Sequence, residues 1–387
     1  MSRATPAPDV AVIGGGLVGT ATAAFLARAG ARVTLWEREA LAAGASGRNS
    51  GVVQHPFDPP LVPLFEESVG HYRRLPELVP EAGFRLAAEP AGLLLVSHRV
   101  TVVRALADHL RATVPALTSE LLVDDALQAL EPAIALGVSA IRLPIGFPIV
   151  PAAPTYAMAT WAERLGVTIR LGRAAAPAIR GGRVAGVQVD GRLHAAGAVV
   201  VAAGPWSPGL IDPTGRWRPV MPNWGVVVET VLAAPPRRVI EEAAMDVALG
   251  TGDLADPVDG VRDDPATTPE TSLVTAGGAT AVGSTFLGAE PDPAAWTERI
   301  LRRATTFVPA LLDAPIRETR ACARPLSADG RPLVGAIDDV AGLYVCTGHG
   351  PWGISTGPAS ARLVADLVLG RPVAIPSELD PARFPRV

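Results

Sequence analysis

The chain has 387 residues, 49% hydrophobic and 19% charged, with a formal net charge of -4. That length supports a large core in two domains or in one with a big insertion, and the composition excludes a disordered chain and argues against a nucleic-acid binder. All 34 basic residues are arginine, which excludes Schiff-base catalysis, a P-loop lysine and a lysine general base.

Cys322 and Cys346 are the only cysteines, so neither a disulfide framework nor a cysteine metal cluster is expected. No apolar run reaches the ~18 residues of a membrane span. Met1–Asp9 lacks an apolar signal core, so the expectation is a cytoplasmic protein with no integral membrane segment.

Val10–Ile13 is an apolar run typical of a buried parallel strand. It enters Gly14-Gly15-Gly16-Leu17-Val18-Gly19, which fits G-x-G-x-x-G. Gly14 suits a tight turn, Gly16 the approach of a pyrophosphate, and Gly19 close packing of helix on strand. Thr20–Ala29 reads as an Ala-rich helix whose N-terminal amides, reached through Leu17 and Val18, face the phosphates. Arg32–Trp36 forms a second strand ending at Glu37, with Arg38 beyond it. A carboxylate there accepts hydrogen bonds from ribose hydroxyls and repels a 2′-phosphate, favouring FAD or NAD over NADP. The following small, polar stretch carries Ser46, Arg48, Asn49, Ser50 and Gly51 and suits a loop passing under a large planar ring. An NAD domain would continue here with another helix and strand.

Further along, Arg85–Ser97 contains two short strand-like runs and Val100–Val114 an amphipathic helical period. Pro151–Gly166 reads as a helix and Val167–Leu171 as a strand. Trp217–Val231 and Ser272–Leu287 read as long strands, and Ala294–Leu312 as a helix. Ala243–Glu270, rich in Asp, Gly, Pro and Thr, reads as a surface loop. Near the C-terminus Arg324 sits on a strand-like run. The apolar strand Leu343–Cys346 enters Gly348-His349-Gly350-Pro351-Trp352-Gly353, and a helical run follows over Ser355–Leu369. Two strand–glycine loop–helix units at opposite ends of the chain suggest that both close around one large cofactor.

These ordered blocks, with Val199–Ser207 and Arg324–Gly335, resemble the D-amino-acid oxidase (DAO) superfamily of FAD-dependent oxidoreductases. The nearest likeness is to its glycine oxidase, sarcosine oxidase and D-amino-acid dehydrogenase members. The resemblance implies an α/β fold, a Rossmann-type FAD-binding domain built from separated segments with an antiparallel-sheet (α+β) substrate domain. It divides the chain into FAD-binding segments at 1–84, 150–215 and 319–387 and substrate segments at 85–149 and 216–318. It also implies that Ala203, Gly204 and Trp206 lie beside the FAD, and that the backbone near Ala176 contacts adenine. Gly348, His349, Gly350, Trp352, Gly353 and Ile354 would line the flavin ring and phosphate chain.

In such a site the protein orients a donor while FAD accepts the hydride. The expected reaction is oxidation of the C–N bond of an amino acid or related secondary amine, with hydride passing to flavin N5 and the imine then hydrolysed. By the same resemblance Arg324 fixes the substrate carboxylate through both its oxygens. Cys322, two residues earlier, faces the same side of a strand. A cysteine near this place carries the flavin covalently in sarcosine oxidases, whereas a buried cysteine is more often inert. His349 is placed to bond the ring and His55 to reach the substrate pocket.

Two rival readings stay open. The Ser46–Val53 loop is similar to that of L-2-hydroxyglutarate oxidoreductases, and a hydroxy-acid substrate needs a base such as His55 or His349. The chain also suits a flavoprotein subunit of a larger complex. The expected partners are a small amine, amino acid or hydroxy acid and an acceptor that is oxygen or a quinone or other carrier, with a homo-oligomer compatible.

Overall fold

The structure, a computed structural model, describes residues 9–243 and 269–386. The loop expected over Ala243–Glu270 lies almost wholly outside the described residues.

Asp9–Ile13 sits inside a six-stranded sheet, between Arg32–Trp36 and Ala198–Val201. Beyond these lie Thr168–Arg170 on one side, and Leu343–Thr347 and Leu333–Ala336 on the other. All neighbours are parallel except the last two, which form an antiparallel pair. The uninterrupted Val and Ile runs follow from cover on both faces. Val10, Val12, Leu35 and Val200 point into the main core under the helices, whereas Ala11, Ile13, Val199 and Val201 point into a separate core. That second core is shared with Val184, Val187 and Val189 of a small sheet formed by Ala175–Arg180, Arg183–Val189 and Arg192–Ala195.

The helix Leu17–Arg28 packs between Ala153–Arg164 and Gly353–Val368, and Val62–Leu78 lies against the last of these. Ala21, Ala23, Ala24, Ala359 and Ala361 are fully buried, so short side chains bring the N- and C-terminal helices close together. Residue Gly19 shows how close: a Cβ there would lie 2.0 Å from the carbonyl oxygen of Gly14.

The other large sheet has eight strands. Its order is Ile316–Ser327, Val220–Thr230, Ala279–Gly283, Ser272–Ala276, Val239–Glu242, Leu93–Ser97, Ser139–Leu143 and Glu120–Leu122. Pairing is antiparallel, as expected of this sheet, except between Val239–Glu242 and Leu93–Ser97, which run parallel. The division expected at residue 319 falls inside the strand Ile316–Ser327, which belongs to this sheet.

Three elements differ from the sequence expectation. Ser272–Leu287 is a hairpin rather than one strand, because Gly277 and Gly278 both take positive φ (59° and 77°) and turn the chain. Arg85–Ser97 yields one strand, Leu93–Ser97. The helix expected to Leu312 spans Pro293–Thr305, with the Asp292 side chain capping it, and Pro309 opens a separate short turn.

Gly19→Ala forces the helix and the first glycine turn apart against a backbone carbonyl. It is expected to destabilise the fold by about 1–3 kcal/mol, read as a lower midpoint in thermal melts. An unchanged midpoint would show that helix and strand do not meet this closely.

Candidate active site

The two glycine loops open onto one cavity of about 720 Å³, within the usual span for small-molecule and cofactor sites. At the nucleotide side Gly14 holds φ +119° and a Cβ on it would meet the Ala202 carbonyl oxygen at 2.3 Å. Only a residue without a side chain leaves this turn open. The Glu37 carboxylate accepts from the Gly15 amide at 2.6 Å and the Glu39 amide at 2.8 Å, which fixes it at the end of its strand beside the loop. Ser46 Oγ accepts from the Leu17 amide at 3.0 Å. The Leu17 amide is thereby spent on Ser46, its side chain stays in the core, and Leu17 does not line the cavity. The Arg38 guanidinium stacks over Trp206 at 4.3 Å. Gly16, Val18, Ala203 and Gly204 line the wall between.

The stretch after Glu37 forms the short helix Ala45–Arg48 and then turns. Asn49 lines the cavity, yet its side chain is spent on the loop: Nδ2 donates to the Ala45 and Ser46 carbonyls and Oδ1 accepts from the Gly51 amide. Arg48 also lines the cavity. Arg320 grips this loop from the eight-stranded sheet, donating to the carbonyls of Arg48 (3.3 Å) and Asn49 (3.2 Å) and pairing with Glu229 at 2.9 Å. Arg320 belongs to no motif, although alternation places it on one face with Cys322 and Arg324.

Arg324 reaches the same cavity from that strand. Nη1 donates to the Thr285 carbonyl at 2.9 Å and to Asn223 Oδ1 at 3.3 Å, Nη2 donates to Ser284 Oγ, and the guanidinium lies 4.7 Å over Phe286. Gly225 makes this possible, since a Cβ there would strike the guanidinium at 2.3 Å. Every described hydrogen-bond acceptor of Arg324 is neutral. Burial holds its pKa below the ordinary arginine value.

His349 is buried on the cavity wall and its Nε2 has no hydrogen-bond partner among the described residues. Burial pulls its pKa down to about 4, so the ring is neutral near pH 7. Gly350, Gly353 and Ile354 line the cavity beside it. Both cysteines also reach the wall, including Cys346, for which a core position is expected from its strand.

Several expected positions do not face the cavity. His55 packs edge-on against Phe65 at 5.1 Å, where burial lowers its pKa. Ala174 and Ala175 line the wall, and Ala176, one residue further into the strand Ala175–Arg180, does not. Ser50 lies near Gly283, and Gly51 is tied to the Ile149 amide. Gly19 packs against Gly14. Gly348 stands against Leu333 and Val220, and Trp352 against Phe57.

The FAD dependent oxidoreductase family (DAO) matches residues 9–367 of this chain. The chain belongs to that family. Among its relatives, a glycine oxidase from Pseudomonas aeruginosa is 29% identical over 389 residues, covering 96% of this chain and 98% of that protein. A D-amino acid dehydrogenase from Cereibacter sphaeroides is 34% identical over 58% of this chain, and the match spans 47% of its own length. The chain spans about half the length of two of its relatives, this one included. The crystal structure of glycine oxidase from Bacillus cereus superposes with a TM-score of 0.76 at 26% identity, covering 94% of this chain and 95% of that one.

The cavity fits the FAD that the family uses. Its glycine turn is open only without a Cβ, Gly16 and Val18 at the start of the helix line it, the fixed Glu37 carboxylate lies on its wall, and so does His349, whose Nε2 is unpartnered among the described residues. Among the described residues no three metal-binding side chains cluster, and no helix is long and apolar enough to cross a membrane.

Next to Arg324 lies a set of buried carboxylates that no motif announces. Glu242 pairs with Arg303 and accepts from the Thr271 amide at 3.1 Å. Its neighbour Glu241 accepts from Gln54 Nε2 at 3.1 Å, and burial pushes its pKa up to about 7. Glu270 is raised to about 7 by burial first and then by Glu242. A raised carboxyl keeps its proton in the folded chain while the unfolded chain loses it near its ordinary value. The associated stability is present at low pH and is lost as pH climbs from about 4.5 through 7.

Melting temperature is accordingly expected to fall between pH 5 and pH 8. Glu241→Gln removes on the order of 3 kcal/mol of that dependence, and differential scanning calorimetry at both pH values checks it. A Glu241→Gln slope equal to that of the wild type would place the titration elsewhere. For Cys322, burial pushes the thiol up against the pull of Arg324, Arg320 and Arg48, so it stays protonated and a poor nucleophile. Acid precipitation of the yellow protein is expected to release flavin to the supernatant. Colour retained in the pellet and abolished by Cys322→Ser would reverse that.

Proposed function

We propose that this protein oxidises the C–N bond of an amino acid or related secondary amine carrying a carboxylate. The observation that carries the reading is Arg324: a guanidinium on the cavity wall whose described hydrogen-bond acceptors are all neutral, with no carboxylate within ion-pair distance among the described residues. A planar fork with its charge unmatched is suited to a small carboxylate held through two oxygens. The names of two relatives, glycine oxidase and D-amino acid dehydrogenase, point to the same donors.

FAD supplies the hydride acceptor when bound. The chain supplies position and electrostatics. Arg324 fixes the donor by its carboxylate, and the backing from Ser284, Thr285 and Asn223 keeps the guanidinium from swinging. His349 is neutral and offers a hydrogen bond at Nε2 rather than a charge. A hydroxy-acid donor would need a side chain to take the hydroxyl proton. His55 lies off the cavity, and the lowered pKa of His349 makes it a weak base near neutrality. This favours the amine, whose neutral form needs no such base.

Anaerobic mixing of the flavin-loaded protein with glycine, D-amino acids, N-methylated amino acids and hydroxy acids is expected to bleach the flavin with an amino-acid donor. In Arg324→Leu, flavin content stays near the wild-type value while the reduction rate falls about 100-fold, the kinetic size of ~3 kcal/mol of lost charge recognition. Equal rates in the two proteins would remove Arg324 from the site, and bleaching by hydroxy acids alone would overturn the amine reading. Admitting air afterwards separates oxygen from a quinone or other carrier as acceptor.

A further inference from the structure

We propose that Glu270 is a positioning residue for Arg324, taking up one proton from solvent when a carboxylate binds that guanidinium. This rests on Arg324 as the carboxylate anchor.

Glu270 is pinned next to the arginine by backbone. Its amide donates to the Ser284 carbonyl at 2.9 Å and the Ser284 amide donates back to the Glu270 carbonyl. Ser284 is the same residue whose Oγ receives Arg324 Nη2. The Glu270 carboxyl is left short of partners: its Oε2 is buried and has no hydrogen-bond partner among the described residues. Among the described residues no cation sits within ion-pair distance of Glu270.

The charges that bear on Glu270 come from three elements. Glu241 and Glu242, on the strand Val239–Glu242, disfavour a charge on it. Arg324, on the strand Ile316–Ser327, and Arg303, on the helix Pro293–Thr305, favour one. Arg303 is engaged with Glu242, so its field is largely cancelled. Glu241 is held by Gln54. Arg324 is therefore the variable member of the set. A ligand carboxylate on its guanidinium offsets the positive charge that favours ionised Glu270, while the two neighbouring glutamates remain. The proton affinity of Glu270 then rises, and a proton enters from bulk water to give the neutral acid. Its pKa of about 7 before binding puts the exchange within reach of ordinary assay pH. Glu241, also raised to about 7, is the one neighbour that titrates in the same range, and it is held by Gln54. His349 titrates at about 4, and the Cys322 thiol lies above its ordinary value.

The linkage has a consequence for recognition. Above pH 7 each carboxylate bound must also recruit a proton, so affinity weakens as pH rises, up to the roughly tenfold per pH unit that one linked proton allows. Below pH 6 Glu270 already holds its proton and binding is indifferent to pH.

The test uses the flavin-loaded enzyme, oxidised, titrated calorimetrically with acetate and with benzoate in phosphate and in Tris, whose ionisation heats differ. The wild type is expected to take up little proton at pH 6 and close to one per ligand at pH 8.5. Glu270→Gln, which mimics the neutral acid, is expected to bind with no uptake and with an affinity flat from pH 6 to 8.5. Glu241→Gln is expected to keep the uptake. Wild-type binding that needs Arg324 but moves no proton would overturn the proposal by itself, whether or not the Glu270 variant folds. So would uptake that survives Glu270→Gln or disappears in Glu241→Gln. Binding indifferent to Arg324→Leu, or no binding of either probe to the wild type, would instead sink the carboxylate anchor and the linkage with it.

Discussion

One strand, Ile316–Ser327, ties the cofactor side of this protein to its substrate side. It pairs along most of its length with Val220–Thr230, in a register that sets Asn223 opposite Arg324, Gly225 opposite Cys322 and Val227 opposite Arg320. Alternation then aims three residues the same way. Arg320 clamps the loop that follows the first nucleotide-binding unit, Cys322 closes the wall, and Arg324 brings to the cavity a guanidinium whose described acceptors are all neutral. A slip of one residue would turn all three to the other face. Because the register is long, distance and angle between the cofactor loop and the guanidinium are set by backbone pairing rather than by flexible side chains.

Holding a guanidinium at that place is costly, and the packing shows how the cost is met. Removing an ion from water costs several kcal/mol even after relaxation. Each hydrogen bond from a charged donor returns about 1.5–3 kcal/mol, so the carbonyl, amide oxygen and hydroxyl around Arg324 recover much of it. Phe286 adds an aromatic face. A carboxylate at ion-pair distance would recover more, yet it would also compete with the substrate for the same fork. Glu270 answers this by standing near enough to act electrostatically and too far to pair. The contrast with Arg320 is instructive: that arginine carries its own partner, Glu229, and serves only to fix a loop.

Much of this was legible in the sequence, for reasons that are local. The strand Asp9–Ile13, the glycine turn, the next helix and Glu37 are all specified within thirty residues, so pattern alone locates them. Arg324 and the C-terminal glycine loop were legible by resemblance. Arg320 is legible by alternation with Cys322 and Arg324. Ala176 lies one residue past the wall formed by Ala174 and Ala175, a distinction finer than spacing resolves. The Gly277–Gly278 turn was present as a hairpin signal inside what reads as a single strand. His55 packs against Phe65 of the following helix, a contact that spacing does not specify. Glu241, Glu242 and Glu270 were not legible at all: their role comes from burial, and burial is settled by elements distant in the chain, such as Gln54 and Arg303.

The absence of lysine sharpens the electrostatics. With no ammonium available and His349 pulled to about 4, positive charge beside the cavity near neutral pH comes from arginine. Guanidinium groups cannot give up a proton in this range, so Arg324 and Arg48 act as fixed charges, and acid–base traffic must fall to other groups. Among the described carboxyls near Arg324, Glu241 and Glu270 are raised into the neutral range, and Glu241 is already committed to Gln54. Glu270, with a buried oxygen unpartnered among the described residues, is left as the group through which proton balance would be joined to the carboxylate recognition proposed for Arg324.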